Sequence, residues 1–187
     1  MKLMLSAIES PLGKLTLVTD LQDQVHALTF ADHPSRRHRN LPGHYGPCVL
    51  AEAPAPTPIA AALSSYFGGD LTALDAIVTA TEGTLLQRRV WAALRSIPAG
   101  ETTSYGDLAR TLGYLDPRTA IDVGAANGAN PIAIIVPCHR VIAKNGELKG
   151  YAWGLHRKRW LLTHEGARVL TAPLEKNIPR TMPLPGL

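Results

Sequence analysis

The sequence predicts a mixed α/β (α+β) chain in two parts, strand-rich first and helical second. Three observations carry this reading. Short β-prone runs separated by turns fill residues 2–30, and a second half that begins at Thr84 opens on helix-period apolar spacing. The charge changes sign near the same point. Residues 1–84 carry 5 Lys/Arg against 8 Asp/Glu, whereas residues 85–187 carry 14 against 7, within a net charge of +4. A basic half suits a polyanionic partner, and a solvated basic face would give the same counts.

In the first part, residues 2–9 alternate imperfectly and Ser10-Pro11-Leu12-Gly13 makes a turn. Leu15-Thr16-Leu17-Val18-Thr19 is a second β-prone run, Asp20 to Asp23 turns again, and Val25 to Phe30 is a third. Three such runs on tight turns predict an antiparallel meander, with His26 a structural residue inside its last strand. Residues 32–58 are Pro-, Arg- and His-rich and read as loop and linker, with a basic cluster at Arg36-Arg37-His38-Arg39. His33, His38, His44 and Cys48 match no compact zinc spacing, so no metal is expected. Thr57 is placed to cap a helix through Phe67, with Pro58 at its first position and Leu63, Ser64, Tyr66 and Phe67 on its packing face. Gly68-Gly69 ends it, and Leu74 to Ala80 reads as a short strand leading out of a first domain spanning 1–83.

The second domain, 84–170, opens on Leu86, Val90, Leu94 and Ile97, one stripe of a helix that Pro98 and Gly100 terminate. Ser104 is an N-cap before Tyr105 to Leu112, Gly113 closes that helix, and Asp116 with Pro117 starts another that runs to Asn127-Gly128. Two short helices on a small turn predict a helix-turn-helix, a pattern that any helical hairpin shares. Ala120, Gly124, Ala125, Ala126 and Gly128 keep the second helix slim, for approach to a groove or for close helix packing. Lys144-Asn145-Gly146-Glu147 is a tight turn, and Gly150-Tyr151-Ala152-Trp153-Gly154 a Gly-flanked loop. Leu155 to Gly166 reads as a helix with Leu155, Leu161 and Leu162 inward, and residues 171–187 as a flexible tail.

The chemistry concentrates in Pro137-Cys138-His139-Arg140, set inside the apolar run Ala133 to Ile142. That context predicts a buried strand or strand-to-turn segment interrupted by something reactive. A thiol beside an imidazole is a candidate activated nucleophile, because the thiolate is the attacking species. A small buried Cys acting as a hydrophobe is the alternative. Glu165 shares the apolar face of the last helix, and an inward carboxylate needs a partner. His139 or Arg140 would serve, unless Glu165 reaches solvent at the edge of that face. Cys48 and Cys138 make no disulfide framework, no apolar run approaches membrane-spanning length, and the N-terminus lacks the apolar stretch of a signal peptide. A reduced, cytoplasmic protein is expected.

Pro137-Cys138-His139-Arg140-Val141, preceded by Asn130-Pro131 and followed by Gly150-Tyr151 and Trp160-Leu161-Leu162-Thr163-His164-Glu165-Gly166, resembles the O6-alkylguanine-DNA alkyltransferases. The resemblance is dense over Thr84 to Ala167 and looser through Ser10-Pro11-Leu12-Gly13 and Tyr66-Phe67. It implies an N-terminal ribonuclease-H-like domain and a C-terminal winged helix-turn-helix-like domain. It further implies a cofactor-free, single-turnover transfer of an alkyl group from O6-alkylguanine, and from O4-alkylthymine, to Cys138. By the same resemblance the expected partner is double-stranded DNA met through the minor groove, and a monomer is expected. Carried over from the family, His139 would accept the thiol proton through a water while Glu165 polarises it; Tyr105 would donate to the guanine and Asn130 would organise the turn. Val141 and Ala152 read the base through their backbone, Tyr151 walls the pocket, and Trp153, where many relatives have glycine, narrows it. Arg118, Ile121, Gly124, Ala125, Asn127 and Arg140 are the expected DNA contacts. Ile121 stands where the family usually carries an arginine that fills the gap left by the flipped base; Arg118 is the other candidate for that role. Two alternatives stay open at this point, a lesion-binding relative without repair and a Cys–His hydrolase.

Overall fold

The computed structural model describes residues 1–33 and 49–168. The Arg36–Arg39 cluster, His38, His44, Cys48 and the 171–187 tail lie outside the described residues. Strands β1 (Lys2–Ile8), β2 (Leu15–Thr19) and β3 (Val25–Phe30) form the expected antiparallel meander. A fourth strand, β4 (Val49–Glu52), pairs parallel with β1, giving the sheet order β3-β2-β1-β4. The sequence reading placed β4 in a linker. Its four residues follow a polar, Pro-rich stretch, and it is mostly exposed, so it carries no alternating burial signal.

Helix α1 (Thr57–Phe67) buries Ile59, Leu63 and Tyr66; Ser64, expected on that face, is exposed. Thr57 makes no capping bond, because Pro56 takes the cap position and the helix starts one residue earlier than expected. Residues 71–76 form turns instead of a strand. Only Thr79 reaches the sheet, as a single parallel bridge to Val25.

Helix α2 (Leu85–Arg95) starts on a complete capping box, Thr84 with Gln87. Its indole Trp91 Nε1 donates to Ala126 O at 2.9 Å, which fastens the later helix α4 (Thr119–Gly128) against it. The short strand β5 (Thr103–Ser104) leads straight into α3 (Tyr105–Thr111), with Ser104 Oγ accepting the Asp107 N–H as cap. Asp116 Oδ1 takes the Arg118 N–H, and α4 begins after that turn, two residues later than Pro117 suggests. β5 pairs parallel with β6 (Val141–Ile142), which delivers Tyr105 to the residues that follow Cys138. Helix α5 (Leu155–His164) closes the described chain; Leu155, expected inward, is 45% exposed, and Trp160, Leu161 and Leu162 do the packing.

One contiguous apolar core joins both halves, from Leu12, Leu28 and Phe30 through Leu63 and Val90 to Trp153 and Leu161. Arg157 of α5 ties them by polar contacts as well. Its guanidinium donates to Leu12 O at 3.2 Å and Asp32 Oδ2 at 2.8 Å, and lies 4.0 Å over the Phe30 ring. Among the described residues no helix is long and apolar enough to cross a membrane.

Gly100 sits at φ +83°, and a Cβ there would meet the Glu165 backbone oxygen at 2.8 Å. Both the left-handed backbone and the close approach require glycine. Gly100→Ala is expected to cost about 2 kcal/mol, read as a lower midpoint in urea unfolding at unchanged slope.

Candidate active site: a buried thiol at the floor of a cavity

The segment that carries the thiol is not a strand. Asn130 starts it by turning its side chain back onto the following backbone. Its Nδ2 donates to Ile132 O at 3.1 Å, Val136 O at 2.8 Å and Cys138 Sγ at 3.1 Å, while its Oδ1 accepts the Ile132 N–H at 2.9 Å. The chain then meets the sheet edge, where Leu28 N–H donates to Pro131 O and Ala133 N–H to Leu28 O. Two three-residue turns follow. Ile135 N–H reaches Ala133 O across Ile134, held at φ +68°, and Cys138 N–H reaches Val136 O across Pro137. Pro137 has φ −82° and ψ 62°, an inverse γ-turn to which its ring is already restricted. A β-branched residue at positive φ is strained, and it persists here because the surrounding bonds over-determine it. Cys138–Arg140 is then one turn of 3₁₀-helix.

This local path aims the thiol into a cavity of about 300 Å³. Tyr105, Asn127, Cys138, Gly150, Tyr151 and Ala152 are among the residues that line it. Burial, and the sulfur of Cys138 next, raise the Tyr105 hydroxyl above its usual range, so it remains a proton donor at neutral pH. Gly124 lies against the Tyr105 ring, where a Cβ would make an ordinary van der Waals contact at 3.6 Å.

Behind the thiol lies a buried charge network. His139 Nε2 contacts Glu165 Oε1 at 2.9 Å, and Arg140 grips the same carboxylate through Nε and Nη2 at 2.9 and 2.8 Å. Tyr66 OH donates to Glu165 Oε1 at 2.7 Å. Burial alone would raise the Glu165 carboxyl, but His139 and Arg140 hold it far below the usual carboxylate range. Glu165 is therefore an anion and only accepts, which fixes the neutral His139 as the Nε2–H tautomer with a lone pair on Nδ1. Burial pushes His139 below its ordinary value, with Glu165 opposing. Its Nδ1 is buried and has no hydrogen-bond partner among the described residues.

The wall of the cavity is fastened from below by Lys158. Its side chain is fully buried, and Nζ donates to Val141 O at 2.7 Å, Lys149 O at 2.9 Å and Gly150 O at 3.4 Å. Burial brings its ammonium down to about 8, against the opposing effect of Cys138.

A methylated-DNA–protein-cysteine methyltransferase of Salmonella typhimurium is 46% identical over 172 residues, covering 91% of this chain and 99% of the relative. The chain belongs to the methylated-DNA–protein-cysteine methyltransferase family. A methyltransferase of Mycobacterium tuberculosis is 44% identical over 164 residues, covering 86% of this chain and 91% of the relative. The crystal structure of Mycobacterium tuberculosis OGT in complex with DNA superposes with a TM-score of 0.73 at 40% identity, over 87% of this chain and 92% of that one. The family described as 6-O-methylguanine DNA methyltransferase, DNA binding domain, matches residues 85–167.

In this member of the methyltransferase family the expected site residues part company. Cys138, Asn130, Tyr105, Tyr151 and Ala152 meet at the cavity or its floor, and His139 with Glu165 lies directly behind it. Asn127, expected at the DNA surface, is buried and lines the cavity, while Arg118, Ile121 and Ala125 are exposed on or beside α4. Ile121 is 75% exposed and borders an open depression with Tyr105, Ala120 and Gly124. One expectation fails: Arg140 does not face the surface, because its guanidinium is spent on Glu165 and on Ile97 O in the interior. Trp153, expected to narrow the cavity, does not line it but is fully buried behind the lining residue Tyr151 and against Phe30, with ring centres at 5.3 and 6.5 Å. Val141 is likewise buried, with its carbonyl taken by Lys158.

Two residues of the site escaped the sequence reading. Lys158 falls three and four residues before Leu161 and Leu162, on the inward stripe that also holds Glu165, so its spacing was the available signal. The spacing of Tyr66 predicts packing alone, yet a buried tyrosine hydroxyl needs a partner, and its partner lies 99 residues away.

Proposed function

We infer that Cys138 is the acceptor in the reaction this family's names state, methyl transfer from O6-methylguanine in DNA to a cysteine of the protein. The observation that carries the assignment is the thiol itself, held by Asn130 at the floor of a cavity and backed by a neutral imidazole whose tautomer an anionic carboxylate fixes.

The base leaves the duplex, because a sulfur at the floor of a cavity cannot reach an O6 substituent inside the stack. The Cys138 S–H proton passes to His139 Nδ1 through a bridging water. The sulfur attacks the alkyl carbon in line, the S–C bond forms as the C–O6 bond breaks, and the electron pair departs with the guanine. Tyr105 OH supplies a proton to the departing base, and the proton held on His139 restores the phenol. Thiol and O6-alkylguanine become thioether and guanine, with no cofactor and no net change in protons. A thioether has no hydrolytic exit, so each molecule acts once, as a monomer. The chemistry extends to O4-alkylthymine, which presents the same alkyl–oxygen bond.

The exposed face of α4 meets double-stranded DNA through the minor groove, with Arg118 near phosphates and Ile121 at the base step that opens. Incubation with a duplex carrying O6-methylguanine is expected to add one methyl group to the Cys138 peptide, read by mass spectrometry. Demethylated DNA beside an unmodified Cys138 would overturn the assignment. Ile121→Ala is expected to slow transfer from duplex DNA on the order of tenfold while sparing reaction with the free alkylated base. Equal effects on the two substrates would remove Ile121 from base extrusion.

A further inference from the structure

We propose that Tyr66, contributed by the strand-rich half of the chain, is a positioning residue of the transfer reaction, its hydroxyl setting how much of the Glu165 charge is left for His139. The inference rests on the reading of His139 as the base, and goes beyond it by placing the control of that base in another part of the molecule.

The geometry is specific. Tyr66 is fully buried, and its hydroxyl donates to the same carboxylate oxygen, Glu165 Oε1, that His139 Nε2 contacts. Arg140 Nη2 donates to that oxygen as well, so three donors share its negative charge. The hydroxyl is held in place from both sides. Its backbone oxygen contacts His164 Nε2 at 2.7 Å, and its ring stands edge-on to Phe67 and His164 at 5.4 and 5.2 Å. α1 is thereby fastened to α5 within one residue of Glu165. Packing would require only the ring; the aimed hydroxyl requires a further reason.

That reason lies in what faces His139. From α5 and its end come Lys158 and the Glu165 carboxylate, from its own turn Arg140, and from the cavity wall Tyr151. Glu165 is the group in this set that favours the imidazolium directly through a hydrogen bond. A donor that takes part of the Oε1 charge weakens this pull and keeps His139 neutral, with Nδ1 able to accept a proton. Tyr66 can do this without adding charge, since burial and then the adjoining carboxylate keep its hydroxyl protonated.

The sign follows. Transfer needs neutral His139 and fails as pH falls through the imidazole pKa. Tyr66→Phe keeps the ring and removes the donor, so Glu165 binds the imidazolium more strongly and that pKa rises. The acid limb of the alkyl-transfer rate is expected to move to higher pH by roughly half a unit or more. Replacing Tyr66 with 3-fluorotyrosine strengthens the donor and is expected to move the limb the opposite way. A residue that merely packs would give no such pair of opposite shifts.

The test is the pH–rate profile of methyl transfer to Cys138 by the full chain, with the parent protein and both variants. The ¹⁵N chemical shifts of His139 titrated in parallel report the same pKa without reference to rate, and the fluorotyrosine protein alone suffices if Tyr66→Phe does not fold. Profiles that superimpose in folded proteins would overturn the role of Tyr66. A parent whose transfer shows no acid limb and no matching His139 titration would instead overturn the reading of His139 as base.

Discussion

Replacing Cys138 with Ala is expected to abolish methyl transfer outright and to leave the fold standing. Cys138 is 3% exposed, and the loss of its sulfur leaves only a small void, costing about 1 kcal/mol. Asn130 keeps its two carbonyl partners, Ile132 O and Val136 O, so the turn that shaped the site survives. Lesion DNA should therefore still bind, and a labelled methyl group should remain on the DNA. Stoichiometric label on the Ala variant would move the acceptor elsewhere in the chain.

Glu165→Gln is expected to be nearly as severe, and to strike stability as well as chemistry. The buried Arg140 would lose its counter-charge and His139 its anionic acceptor while the shape of the side chain stays. Breaking a buried ion pair by removing one partner typically costs about 3–5 kcal/mol, measurable by urea unfolding. The pH dependence gives the sign. Because the folded carboxyl lies below its ordinary value of 4.5, Glu165 contributes its full stability above that value. The contribution declines as pH falls through 4.5 toward the depressed folded pKa. The parent should lose stability across that acid window with a slope that the Gln variant lacks. Parallel slopes in the two proteins would mean that Glu165 is not an anion in the fold.

Much of this architecture was legible because short-range chemistry dictates it. The Ser104 cap and the turns before β2 and β3 are dictated by neighbouring residues alone, whereas the Thr84–Gln87 capping box emerges only in the structure. The elements that escaped depend on distant partners. β4 is a strand only because β1 lies beside it, and residues 74–80 look strand-like yet donate their pairing potential to a single bridge at Val25. The apolar run before Cys138 suggested extended backbone, but the Asn130 side chain and the Pro137 ring fold it into tight turns. The sequence offered His139 or Arg140 as the partner of Glu165; the carboxylate takes both, and this is why Arg140 faces inward although its charge suggested phosphate. Trp153 follows the same logic, since the Phe30 ring that buries it belongs to a strand more than a hundred residues earlier.

The bridge between Leu28 and the residues after Asn130 bears on the order in which the molecule assembles. Hairpins of the meander close over short stretches of chain, so they form early, whereas the stitch from β3 to Pro131 and Ala133 closes a loop of about a hundred residues and forms late. Until it forms, only the local bonds of Asn130 and of the two tight turns act on Ile134 and the sulfur, without the sheet edge that completes the site. A nascent or partly unfolded chain thus carries an ordinary cysteine. With Cys138 as the proposed acceptor, the reactive thiol comes into being only in a finished molecule, which is spared from spending itself before it can search DNA.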